Sequence, residues 1–132
     1  MKEVTRIDSP KLVRPVKPYY APAVLVSGGK LLFISGKPPF DTAGNLVGKG
    51  DIGAQTEKVV ENIKAVLDEV GGTLKDIVKV TVYVKEIRHF EQIAAVREKY
   101  FTGVNCTSTL IEVSKLYHPD MLIEIDAIAV ID

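Results

Sequence analysis

The stretch Met121–Val130, MLIEIDAIAV, constrains the fold of this chain more than any other. It alternates with the period of two that a β-strand requires. Met121, Ile123, Ile125, Ala127 and Ala129 make one wholly apolar face. Leu122, Glu124, Asp126, Ile128 and Val130 make the other, which is also half apolar. A strand with two greasy faces needs cover on both sides. The rest of the chain offers only two helical patterns, enough for one face of a sheet. The second face is therefore expected to be buried against other copies of the same chain, which makes a homo-oligomer the expected state.

The other elements follow from local patterning. Residues 1–22 are basic and hold Pro10, Pro15, Pro18 and Pro22. After a short strand at Val4–Ile7, these prolines exclude a helix and favour an extended path. Ala23–Val26 and Leu31–Ser35 read as strands, and Ser27-Gly28-Gly29-Lys30 between them reads as a hairpin turn. Pro38-Pro39 ends the second strand, and Asp41–Asn45 forms a further turn. Asp51 is placed to cap a helix reaching about Val70. Ile52, Val59, Val60, Ile63, Val66, Leu67 and Val70 make its apolar stripe, and Gly71-Gly72 stops it. Ile77–Lys85 alternates as a strand, with Val78, Val80, Val82 and Val84 on one side. A second helix spans about Phe90–Phe101, with Phe90, Ile93, Ala94, Arg97, Tyr100 and Phe101 near one face. Thr107–Val113 and Met121–Val130 are the last strands. The sum is one α+β domain over residues 1–132, a mixed or antiparallel sheet with both helices on one face.

Charge narrows the class of function. The chain carries 17 Lys+Arg and 17 Asp+Glu, a formal charge of zero, which argues against coating nucleic acid or an anionic membrane. The ends are nevertheless opposite. Residues 1–30 hold six bases and two acids, whereas residues 112–132 hold five acids and Lys115. That asymmetry gives two solvated patches or an end-to-end contact between copies. One cysteine cannot form an internal disulfide, MKEVTRIDSPKL has no apolar signal run, and no stretch is long and apolar enough to span a bilayer. The expected compartment is the cytoplasm.

Few residues invite chemistry. Cys106 with His89 or His118 is a candidate thiol and base, but nothing around Val104-Asn105-Cys106-Thr107 completes a motif, and a small buried residue is the simpler reading. Tyr117-His118-Pro119-Asp120 resembles a co-chaperone loop. It is followed by a strand rather than a helix, so it is read as a turn. Tyr19 and Tyr20 on the basic N-terminal segment are the only feature that invites RNA stacking. Two histidines and one cysteine make no metal ligand set, and no phosphate-binding loop is present. Glu124 and Asp126 share a strand face, and burial of either would raise its pKa and make it a proton carrier.

Five segments then occur together, in order, from Tyr20 to the C-terminus. They are Tyr20-Ala21-Pro22-Ala23-Val24, Leu32-Phe33-Ile34-Ser35-Gly36, the helix ending at Gly71-Gly72, Ile77–Lys85, and Ile123-Glu124-Ile125-Asp126-Ala127-Ile128-Ala129-Val130. Together they resemble the RidA/YjgF family of small trimeric proteins. The resemblance implies a chorismate-mutase-like fold, with the sheets of three subunits closing an inner barrel, helices outside and a small-molecule cleft at each subunit interface. It implies cofactor-free hydrolysis of reactive enamines or imines of 2-oxo acids, such as 2-aminoacrylate, releasing ammonia.

By the same resemblance, Glu124 is the catalytic position that holds the attacking water, and Tyr20, Ser35 and Gly36 line the cleft. Two positions depart from the pattern. Ser108 stands where the family carries an arginine that grips the substrate carboxylate through two parallel hydrogen bonds, and Ala94 replaces an asparagine of the second helix. Losing a buried partner of a carboxylate costs about 2–5 kcal/mol, and every ~1.4 kcal/mol is tenfold in rate. The expectation is therefore a hydrolase with an altered substrate, Ser108 in the cleft, and Lys37 or Lys115 as a source of the missing charge. The alternatives are a trimer that binds a metabolite without turnover, and the RNA-cleaving or translation-inhibiting role sometimes attached to the family, which a neutral surface disfavours.

Overall fold

A computed structural model describes residues 1–132. Six strands and two long helices follow in the order β1 (Glu3–Ile7), β2 (Ala23–Ser27), β3 (Lys30–Lys37), α1 (Ile52–Asp68), β4 (Ile77–Val84), α2 (Phe90–Phe101), β5 (Thr107–Glu112) and β6 (Ile123–Ile131). Four strands form the main sheet in the order β3-β6-β4-β5. β6 is antiparallel to both neighbours, and β4 and β5 run parallel across the α2 connection. α1 and α2 pack together over one face of this sheet, and α1 lies against β3 and β6. No helix is long and apolar enough to cross a membrane.

The capping expected of α1 is present: Asp51 Oδ1 accepts from the Ala54 N–H at 3.0 Å. At its other end the Gly72 N–H reaches the Leu67 carbonyl at 2.9 Å, and Gly71 adopts a φ of +71°. Ile52, Val59, Val60, Ile63 and Leu67 are buried, but Val70 lies beyond the helix and is exposed. They meet Val80, Val82 and Val84 of β4 and Ile123, Ile125, Ala127 and Ala129 of β6 in one core. Two polar side chains of α1 are spent on loops. Gln55 donates to the carbonyls of Gly48 (3.2 Å) and Asp120 (2.9 Å) and accepts from the Leu122 N–H (2.8 Å). Asn62 donates to the carbonyls of Pro38 (2.9 Å) and Phe40 (3.0 Å). These bonds fix the entry to β6 and the exit from β3.

The expected hairpin between β2 and β3 does not form. Gly28 and Gly29 do turn the chain, with φ of +70° and +78°. Beyond them β2 pairs with β1 as a separate two-stranded sheet, while β3 pairs only with β6. The physical reason lies at the N-terminus. The Lys2 N–H donates to Asp132 Oδ1 at 2.7 Å, and Lys2 Nζ bonds Asp76 and the Val130 carbonyl. These contacts hold the start of β1 at the end of β6, and the backbone of Met1 passes directly against Gly28. The Lys2 ammonium pairs with Asp76, outside the acidic C-terminal stretch, and the bond to Asp132 comes from the Lys2 backbone N–H.

The outer face of the sheet is open. Leu31 and Phe33 of β3 are 66% and 71% exposed, and Ile111 of β5 is exposed on the same face. This is the second greasy face that the patterning of β6 requires. Val130 alone on that face of β6 is sealed within the chain.

Candidate functional site

β-Strand alternation and the observed register divide the expected site residues into two groups. Ser108 pairs with Val80, and Val80 pairs with Ala127, so Ser108 belongs to the helix-covered face. Glu124 pairs with Tyr83 and lies an odd number of positions from Ala127, so it belongs to the open face. One chain therefore does not bring Glu124 and Ser108 together.

The first group surrounds Glu124. The pairing of β3 with β6 shifts by one residue between Ile34 and Lys37, which makes Ser35-Gly36 a bulge opposite Asp126. The Glu124 carboxyl lies over that bulge. A Cβ at Gly36 would stand 2.6 Å from Glu124 Oε2 and 2.8 Å from its Cδ, so only glycine admits the carboxyl here. Burial, and then the nearby Asp126, hold the Glu124 pKa above the usual glutamate range, with Lys37 opposing them. Asp126 accepts from the Tyr83 hydroxyl at 3.0 Å. A hollow of about 300 Å³ runs beside these groups, lined by Phe33, Ser35, Gly36, Asp126 and Ile128. Gly36, beneath the Glu124 carboxyl, also lines this hollow, and a carboxyl with a raised pKa is better suited to taking and returning a proton than an ordinary surface glutamate.

The second group surrounds Ser108. Arg97 of α2 sends its guanidinium to this strand, and Nη1 donates to Ser108 Oγ at 2.9 Å. Arg97 is 2% exposed. Its guanidinium carbon lies 4.3 Å from the Tyr19 ring centroid and 5.6 Å from that of Phe101. None of the ion pairs in the chain includes Arg97, and its Nη2 is buried without a hydrogen-bond partner. A cavity of about 140 Å³ adjoins it, bounded by Val16, Tyr19, Tyr20, Phe90, Ser108 and Leu110. Tyr20 closes one side, its hydroxyl accepting from the Val16 N–H at 3.2 Å.

Sequence reasoning overlooked Arg97. The available signal was an arginine on the apolar stripe of α2, a position where a charge is costly unless it is used. Lys37, one expected source of positive charge, lies close enough to favour the ionised form of Glu124, and Lys115 is exposed. Ala94 is buried in the core against neighbouring apolar groups.

The other candidates resolve plainly. Cys106 is fully buried, its Sγ faces the Tyr19 carbonyl at 3.6 Å, and burial pushes its thiol pKa up; it is no activated nucleophile. His118 caps its own turn, Nδ1 accepting from the Asp120 N–H at 3.1 Å. Residues 117–120 are bend and turn rather than a loop between helices. Tyr19 is 1% exposed, so it is core rather than a stacking platform. No three His, Cys, Asp or Glu side chains converge as metal ligands would.

Residues 11–131 match the family described as endoribonuclease L-PSP. A RutC family protein of Pyrococcus abyssi is 42% identical over 128 residues, covering 97% of this chain and 96% of its own length. The crystal structure of YyfB, of the conserved Rid protein family from Yersinia pestis, superimposes with a TM-score of 0.90 at 30% identity, covering 97% of this chain and 98% of the other. The YjgF gene product of E. coli gives a TM-score of 0.68 at 34% identity, over 78% and 81% of the two chains.

Proposed function

The chain belongs to the RidA/YjgF family, the endoribonuclease L-PSP group, and on that premise we propose that it hydrolyses a small reactive enamine or imine and releases ammonia. The observation that carries this reading is the half-buried Glu124 carboxyl, seated over the Ser35-Gly36 bulge with its pKa raised by burial. In that state it takes a proton from water as the water adds to the C=N carbon. It returns that proton to the nitrogen and relays a second from the newly formed hydroxyl, so that the C–N bond breaks, ammonia leaves and a carbonyl remains. Ser35 and Gly36, left out of the β3–β6 pairing, offer backbone groups to the substrate on the same side.

The reading includes a trimer. Glu124 and Ser108 lie on opposite faces of one sheet, so a cleft holding both needs residues of two subunits. The exposed Leu31 and Phe33 supply an apolar face for such an assembly.

The test is ammonia release from freshly generated 2-aminoacrylate by wild type and by Glu124→Gln. Loss of a general acid/base lowers kcat on the order of 10²–10⁴-fold. An active wild type with an equally active Glu124→Gln refutes the mechanism. An inactive wild type that still binds the carbonyl product supports the metabolite-binding alternative instead.

A further inference from the structure

We infer that Arg97, from the second helix, is the carboxylate anchor of this protein, and that Ser108 positions its guanidinium rather than marking the loss of an anion site. The inference rests on the proposed function only for where the bound molecule reacts; the anion site itself stands on the geometry. A guanidinium is always charged and holds five N–H donors in one plane. Arg97 uses Nη1 on Ser108 and its flat face on Tyr19 and Phe101. That leaves Nη2 buried and unpaired, with no carboxylate of the chain within ion-pairing distance. Burying a charge without a counter-ion is costly, and burial is the main influence acting against the charge of Arg97. An anion that enters the adjoining cavity removes that cost.

The cavity sets the class of anion. Its volume of about 140 Å³ admits a molecule of a few heavy atoms. Phe90, Leu110 and Val16 offer apolar walls, and Tyr20 offers one polar edge. A small 2-oxo or 2-imino monocarboxylate fits that description. A phosphate ester or nucleotide needs more room and further cations. The serine at position 108 is then a compensated exchange. A short hydroxyl on β5 leaves space for the guanidinium that α2 delivers, and holds it by one hydrogen bond.

The test uses the full-length protein and two probes of nearly equal shape, pyruvate and the uncharged pyruvamide. Binding is followed by calorimetry and by the side-chain ¹⁵Nε resonance of Arg97. Pyruvate is expected to shift that resonance and to bind on the order of a hundredfold more tightly than pyruvamide. Arg97→Met, which keeps the volume and removes the charge, is expected to abolish the preference. Ser108→Ala is expected to weaken pyruvate binding while the Arg97 resonance still responds. Equal binding of the two probes, an Arg97 resonance indifferent to pyruvate, or an undiminished preference in a folded Arg97→Met would overturn the inference. Folding is checked by the unfolding temperature, and Arg97→Gln, which also removes the charge, is read in the same way should the methionine variant not fold. Selective pyruvate binding without ammonia release would leave the anchor standing and refute the hydrolytic reading. Turnover unaffected by Arg97→Met would do the reverse.

Discussion

Replacing Gly36 by alanine tests whether the seat of Glu124 matters. The new Cβ would lie 2.6 Å from Oε2, 2.8 Å from Cδ and 3.2 Å from Cγ of Glu124. Non-bonded carbon contacts settle near 3.5–4.0 Å, so the carboxyl must retreat by roughly 1 Å. The obstacle is the mobile end of a side chain, and the backbone at Gly36 is not in the left-handed region. The change in stability is therefore small. An off-rotamer cost of about 0.5–1.5 kcal/mol is set against a gain of about 0.4–1 kcal/mol from stiffening the unfolded chain. A displacement of 1 Å in a reacting group can cost on the order of 10²-fold in rate. The expected result is an unfolding free energy within about 1 kcal/mol of wild type, with kcat/KM for ammonia release from 2-aminoacrylate down roughly a hundredfold. The Glu124 carboxyl resonance in a ¹³C titration should also move toward the ordinary glutamate pKa, as the group is pushed into solvent. A variant that keeps wild-type turnover and an unchanged Glu124 titration would refute the link between the bulge and the acid.

Gln55→Leu removes three hydrogen bonds and strands the Leu122 N–H at the entry to β6; urea unfolding should show a loss of about 2–4 kcal/mol. Glu124→Gln should raise the unfolding temperature at neutral pH. The folded state binds the Glu124 proton more tightly than the unfolded chain, so wild type loses stability as pH rises from the ordinary glutamate range through the raised folded-state pKa. The gap between variant and wild type should open over that window and close below it in thermal scans across pH. Phe33→Glu places a charge on the open sheet face; sedimentation should show a trimer for wild type and single subunits for the variant, and ammonia release should fall with assembly.

The elements were legible in the sequence because their signals are local. The cap at Asp51, the stripe of α1 and the glycines after it act within a few residues, and α1 begins at Ile52 as they require. The two-faced patterning of β6 foretold the exposed Leu31 and Phe33, since a periodicity of two fixes side-chain direction wherever the strand lies. The same periodicity put Glu124 on the face of β6 opposite Ile123 and Ile125, where it lies. Strand partnership was not. Gly28-Gly29 permit a turn but do not say which edges meet beyond it, and Lys2, some 130 residues from Asp132 along the chain, decides that β2 pairs with β1. The company of Ser108 was hidden for the same reason. Hydrogen-bond direction and burial belong to three-dimensional neighbourhoods, so only the packing of α2 against β5 could bring the guanidinium of Arg97 to Ser108 and leave its Nη2 free.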